Sequence, residues 1–227
     1  MLHAGMVMHK RFSVVTVADD GGKELIGGKR LNNDEGEIRS FFESFDDEVR
    51  VVLEAGGNWY WMCDLLDGMG IANILCHPLK TKAIASARIK TDKIDSRILS
   101  HLGRMDFVPE AYKPDMATRH LRELLRYRAS IVKVRTATKN KVHALLARLN
   151  VPSPYSDLFG KKGLAYLEGL QLLPVYRESL NAYLRLLAAV EEEVSYAEVL
   201  VQEAREHSPE AQLLETIPGV GPILSLT

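Results

Sequence analysis

The stretch that decides the fold is Val49-Arg50-Val51-Val52-Leu53-Glu54. Five residues dense in β-branched and aliphatic side chains read as a short buried strand, and the acid that ends it falls where such a strand leaves the core. Working outward, Asn33-Asp34 supplies a cap for a helix carrying Ile38, Phe41 and Phe42, and Trp59 to Gly68 has helical spacing. Ile71 to Cys76 is a second short apolar strand, and Pro78 opens a lysine-rich helical segment. Upstream, Phe12-Ser13-Val14-Val15-Thr16-Val17 and Glu24-Leu25-Ile26 flank the turn residues Asp19-Asp20-Gly21-Gly22, the pattern of consecutive antiparallel strands. Strands first, then strand alternating with helix, predict an α/β unit with a mixed sheet and flanking helices. Ligands gather at the carboxyl ends of strands in such sheets, and Glu54 is placed there.

Beyond Pro114 the pattern changes. Leu121, Leu124, Leu125, Ile131, Val132, Leu145, Leu146 and Leu149 outline one long helix, ended by Val151-Pro152-Ser153-Pro154, and a second runs from about Val175 to His207. Their lengths predict an antiparallel helical hairpin, with Tyr155 to Leu173 as a loop holding a shorter helix. The expected organisation is therefore 1–112, 113–208 and 209–227, the last being the incomplete start of a further domain.

Composition excludes several classes. Apolar residues are 46% and charged residues 26% of 227, the balance of a globular chain, and no run approaches the length of a membrane span. The N-terminus lacks a charged leader and an apolar stretch, so a cytoplasmic location is expected. Cys63 and Cys76 have no companions at metal-ligand spacing and read as reduced core residues. A net charge of −1 says nothing for nucleic acid, but its distribution does: Arg119 to Arg148 holds nine Lys or Arg against Glu123, while Pro174 to His207 holds seven Glu against three Arg.

Asp92 and Asp95, three apart, share one face of a helix. With Lys80, Lys82, Arg88, Lys90, Lys93, Arg97 and Arg104 around them, and Glu54 as a third oxygen donor, they can form a hard-cation site with a rim suited to phosphate. The competing reading is that Asp92 caps its helix and Asp95 pairs with a lysine. The basic helix also has two readings. Arg119, Arg122, Arg126, Lys133, Arg135, Lys139 and Lys141 can track a phosphate backbone, with Tyr127 and His143 available for stacking, or they can face the Glu-rich return helix. Trp59 reads as core, and Gly56-Gly57 as a tight turn beside Glu54.

Four motifs occur in order along the chain: Gly5-Met6-Val7-Met8-His9-Lys10, Glu54-Ala55-Gly56-Gly57-Asn58-Trp59, Lys90-Thr91-Asp92-Lys93-Ile94-Asp95 and Leu214-Glu215-Thr216-Ile217-Pro218-Gly219-Val220-Gly221-Pro222. Together they resemble the transposases of insertion-sequence family one-ten, relatives of the Piv DNA invertases. The resemblance implies a RuvC-like, ribonuclease H-type fold and a DEDD site for magnesium or manganese. It also implies a helical linker used in oligomerisation, as a dimer or tetramer, and DNA recombination guided by a structured bridge RNA. Glu54, Asp92 and Asp95 match three of the four acids as catalytic and metal residues, with Lys90, Lys93 and Arg97 beside them toward nucleic acid. Val7 stands where the pattern has its first Asp, so weakened metal binding is expected. The family's serine, expected beyond Pro-Gly-Val-Gly, has no match in Ser225, which reads as an ordinary helix residue.

Overall fold

The computed structural model describes residues 1–84 and 91–227, in two compact units, Met1–Lys113 and Pro114–Thr227. The first holds a five-stranded sheet built from β1 (Leu2–Met8), β2 (Phe12–Asp19), β3 (Glu24–Asn32), β4 (Val49–Glu54) and β5 (Ala72–Cys76). The strand order is β3-β2-β1-β4-β5. β1 pairs antiparallel with β2, and β2 with β3, whereas β1 with β4 and β4 with β5 are parallel. This mixed sheet with helices on both faces agrees with the α/β, ribonuclease H-like expectation.

Alternation sorts the side chains onto two faces. Ala4 and Met6 of β1, Val15 and Val17 of β2, Val51 and Leu53 of β4 and Leu75 of β5 join the main core with helices α1 (Glu35–Glu43) and α2 (Trp59–Gly68). Ile38, Phe41 and Phe42 face it from α1, which Asp34 caps by accepting from the Glu37 amide. Trp59 packs at its margin, and Cys63 is buried in it as a reduced thiol. The opposite face holds Val7, Val52, Cys76 and Leu99. Burial pushes the Cys76 thiol up to about 11, so it remains protonated and inert near neutral pH.

Helix α3 (Pro78–Ile84) follows β5, and α4 (Asp92–Arg104) covers the second face. Its buried residues Ser96, Leu99, Ser100 and Gly103 form one stripe against the sheet. The approach is close enough that a Cβ on Gly5 would collide with the Ser96 carbonyl and the Ser100 amide. Two buried hydrogen bonds fix the seating: Ser100 Oγ donates to the His3 carbonyl at 2.7 Å, and Thr16 Oγ1 and Ser96 Oγ are 2.8 Å apart. Residues 96 and 100 lie over the first half of β1, so α4 runs antiparallel to it. Its N-terminus therefore reaches the carboxyl ends of β1 and β4.

The second unit is an antiparallel pair of 33-residue helices, α5 (Met116–Arg148) and α7 (Pro174–Glu206), with α6 (Lys161–Gly169) between them in sequence. Leu180, Leu187, Val190, Val194, Ala197 and Val201 recur along α7 at intervals of seven, three and four residues and are buried. Val142, Leu145 and Leu146 of α5 pack with Leu158, Leu167 and Leu180 at one end. Short helices α8 (Pro209–Leu214) and α9 (Pro222–Ser225) close the other end through Ala211 and Leu226 on Val201. Among the described residues no helix is long and apolar enough to cross a membrane.

Candidate functional site

Glu54 is the last residue of β4, opposite Cys76 and half-buried. The parallel register sets Met6 beside Leu53, and side-chain alternation places Val7, Val52 and Glu54 on the face that α4 covers. On α4, the buried stripe Ser96–Leu99–Ser100–Gly103 continues backward through Asp95 and Asp92. The same end of the sheet thus carries Glu54, Asp92, Asp95 and, in line with them, Val7.

Asp92 is not the cap of its helix. Thr91 is, with Oγ1 accepting from the Ile94 amide at 3.3 Å, so Asp92 stands in the first turn, where the helix dipole favours a carboxylate. Asp92 Oδ2 lies 2.9 Å from His9 Nε2, close but too poorly aligned for a hydrogen bond. The His9 carbonyl accepts from Asn33 Nδ2 at 2.7 Å and Asn58 Nδ2 at 3.1 Å, which ties the end of β1 to the loop after β4. In that loop the Gly56 amide turns back onto the Glu54 carbonyl at 2.7 Å.

This architecture brings three acids to one end of the sheet without gathering them into one ligand shell. Among the described residues no group of three or more His, Cys, Asp or Glu side chains is arranged to hold a metal ion. Two neighbouring side chains do nothing to complete a shell. Val7 is buried against Val52, Cys76 and Leu99, an apolar cluster with no oxygen to offer a hard cation. His9 approaches Asp92 on one of its oxygens. The residues present do not fit a four-carboxylate site for paired divalent ions.

The cations expected to meet nucleic acid divide into two groups. Lys90 lies outside the described residues. Arg97 is paired with Glu24, whose carboxyl it holds below the ordinary range, and Lys93 runs along Gly28 near the same acid. On α5, Arg135 and Lys139 both reach Glu191 of α7, at 3.3 and 3.0 Å, and Arg128 reaches Glu198 at 2.8 Å. Burial alone would raise the Glu191 pKa, but Lys139 and Arg135 outweigh it and the net shift is downward. Arg126 and Lys133 are exposed, Arg126 only 4.0 Å from Glu123 of its own helix, and Arg122 is half-buried. Tyr127 donates to Glu193 at 2.8 Å and His143 meets Phe159 edge-on, so both expected stacking residues are engaged within the hairpin.

Sequence reasoning missed a cluster at the far end of the second unit. Arg205 makes a forked pair with Glu215, at 2.7 Å from Nη2, and Ser225 Oγ donates to the same carboxylate at 3.0 Å. Ser225 thus joins α9 to α7 through Glu215. The ten-residue separations carry no local periodicity, so only the fold reveals the cluster.

A family model described as a transposase, the DEDD transposase of insertion sequence IS110, matches residues 4–151. The transposase for insertion sequence element IS1533 of Leptospira borgpetersenii is 23% identical over 214 residues. That alignment covers 92% of this chain and 62% of the relative, so the chain spans less than two thirds of the length of the curated protein it matches. The model match takes in the sheet from the third residue of β1 onward, the Glu54 and Asp92–Asp95 motifs and all of α5, and on that ground the chain belongs to the IS110 family of DEDD transposases.

Proposed function

We propose that this chain serves DNA transposition as a nucleic-acid-holding part of a transposase, with the family's metal-dependent phosphodiester step impaired. The observation that supports this most is Val7. It is buried on the sheet face shared by Glu54, at the position of the missing acid, where a valine supplies packing and no ligand. DEDD transposases typically use a divalent metal; two such ions stabilise the attacking and leaving oxygens when bound. In this chain the carboxylates of Glu54, Asp92 and Asp95 contribute negative charge at the strand ends. His9, Asn33 and Asn58 hold the local backbone.

DNA is the partner this reading requires, and a structured guide RNA and self-association through the α5–α7 hairpin belong to the same proposal. Residues 209–227 are assigned to the entrance of a further domain, and residues 113–208 to the helical linker.

A second reading, a metal-dependent recombinase that works with three acids, draws on the placement of Glu54, Asp92 and Asp95 at one end of the sheet. The two separate in one experiment. Binding to a fluorescent DNA duplex is measured in EDTA and in magnesium, followed by electrophoresis of the DNA. The first reading expects intact DNA and no gain in affinity from magnesium. Binding that needs magnesium, or nicking by the unaltered chain, would favour the second.

A further inference from the structure

We propose that Lys10, Arg11 and Arg30 form a contact surface for a nucleic-acid phosphodiester backbone, with Phe12 as the platform that holds Arg30 ready. The inference rests on the nucleic-acid reading above and gives the sheet unit its own binding surface, separate from the basic helix.

Lys10 and Arg11 occupy the turn between β1 and β2, and Arg30 lies on β3 opposite Val14, all at the end of the sheet that carries Asp92 and Glu54. All three cations are exposed. The Arg11 carbonyl accepts the Asn33 amide at 3.0 Å, which fixes the turn against the end of β3. Arg30 lays its guanidinium 3.7 Å from the centre of the Phe12 ring, and the His9 ring lies 4.5 Å from the same ring. A guanidinium over a ring face keeps N–H donors at its rim that the ring does not use.

Several acids at this corner are already engaged. Asp34 caps α1, Glu37 accepts from the Asn32 amide and side chain, Glu35 pairs with Arg39, and Asp92 faces His9. No carboxylate pairs with Lys10, Arg11 or Arg30 among the described residues. An arginine placed over a ring beside two unpaired cations fits an anion presenting several oxygens at spaced positions, which is the chemistry of a phosphodiester chain. The contrast with Arg97 is direct: that residue lies on the same side of the sheet and is closed onto Glu24.

The test uses the whole chain and three fluorescent probes: single-stranded DNA, duplex DNA and single-stranded RNA of one sequence. Affinity is measured at a series of salt concentrations for the unaltered protein, for Lys10→Ala/Arg11→Ala/Arg30→Ala, for Phe12→Leu and for Lys23→Ala. Lys23 is an exposed lysine in the β2–β3 turn, at the opposite end of the sheet. Tryptophan fluorescence during urea unfolding checks that the sheet unit is intact in each variant.

The triple variant should lower the salt slope by about two on a single strand or nearly three on a duplex, since each lost phosphate contact removes roughly 0.7 or 0.9. Phe12→Leu should keep the slope and weaken binding about two- to five-fold, the worth of an exposed cation–π contact. The probe with the largest loss identifies the strand type. A triple variant with the unaltered slope overturns this surface while the nucleic-acid reading stands, and so does an equal loss per charge from Lys23→Ala. No salt-dependent binding by the unaltered chain to any probe overturns both.

Discussion

Placement of Asp92 and Asp95 depends on α4 lying tightly on β1, and Gly5→Ala tests that contact. The added methyl would overlap the Ser96 carbonyl and the Ser100 amide and stand 2.8 Å from Leu99 Cβ. Two of these are backbone atoms of a helix, which cannot rotate aside as a side chain can, so α4 must lift by on the order of an ångström to restore ordinary contact distances. Overpacking of this kind costs about 1–3 kcal/mol. Lifting also breaks or stretches the buried Ser100–His3 and Thr16–Ser96 hydrogen bonds, each contributing about 1 kcal/mol. The total, roughly 3–5 kcal/mol, is a large part of the ~5–15 kcal/mol by which a domain of this size is usually stable.

The assay is urea unfolding followed by tryptophan fluorescence. Trp59 and Trp61 are the only tryptophans and both belong to the sheet unit, so the helical hairpin is silent. With a urea dependence of about 1.5–2 kcal/mol per molar, the midpoint should fall by roughly 2 M. Gly57→Ala is the matched control, because an added Cβ there meets nothing within 4 Å. If Gly5→Ala unfolds at the same urea concentration as Gly57→Ala, α4 is not seated as described, and the common placement of the acids falls with it.

Other consequences follow in the hairpin. Leu187→Ala empties a buried position between α5 and α7 and should destabilise the second unit by about 2–5 kcal/mol, read from helical circular dichroism during heating. Glu191→Gln removes the shared partner of Arg135 and Lys139; stability near neutral pH should fall by no more than about 1 kcal/mol, since all three groups are partly exposed. The pKa of Glu191 is lowered in the folded chain, so its contribution is present above the ordinary glutamate value of about 4.3 and is lost as pH falls through the depressed one. Glu191→Gln should therefore unfold less steeply with acid than the unaltered chain, and an unchanged acid profile would show that the ion pair is not formed in solution. Ser225→Ala leaves the Arg205–Glu215 fork intact and should lower the melting temperature only slightly, whereas Glu215→Ala strands Arg205 and should lower it by several degrees.

Much of the architecture was legible in the sequence because it rests on local periodicity. The Trp59–Gly68 helix, the two long helices and the Val49–Glu54 strand declare themselves by spacing and by bounding Asp, Gly and Pro residues. β1 is harder to see, since His3 and Gly5 dilute its apolar pattern. Gly5 is there for the helix that crosses it, about ninety residues later in the chain. The site follows the same division. The spacing of Asp92 and Asp95 predicts a shared helix face, and Glu54 a strand end. Whether such groups converge depends on how α4 crosses the sheet, a long-range property. The Glu191 pairs and the Phe12–Arg30 stack likewise arise from registry between separate elements, which charge counts alone leave open.

The central claim is that Val7 has removed the capacity of Glu54, Asp92 and Asp95 to hold a divalent ion. It is tested most directly by unfolding the unaltered chain and Val7→Asp with and without millimolar magnesium or manganese, again followed by tryptophan fluorescence. Without metal, Val7→Asp should be the less stable, because the new carboxylate is placed among Val52, Cys76 and Leu99. With metal it should recover about 1.4 kcal/mol or more at ten times its dissociation constant, while the unaltered chain stays where it was. An unaltered chain stabilised by metal as strongly as Val7→Asp would contradict the account.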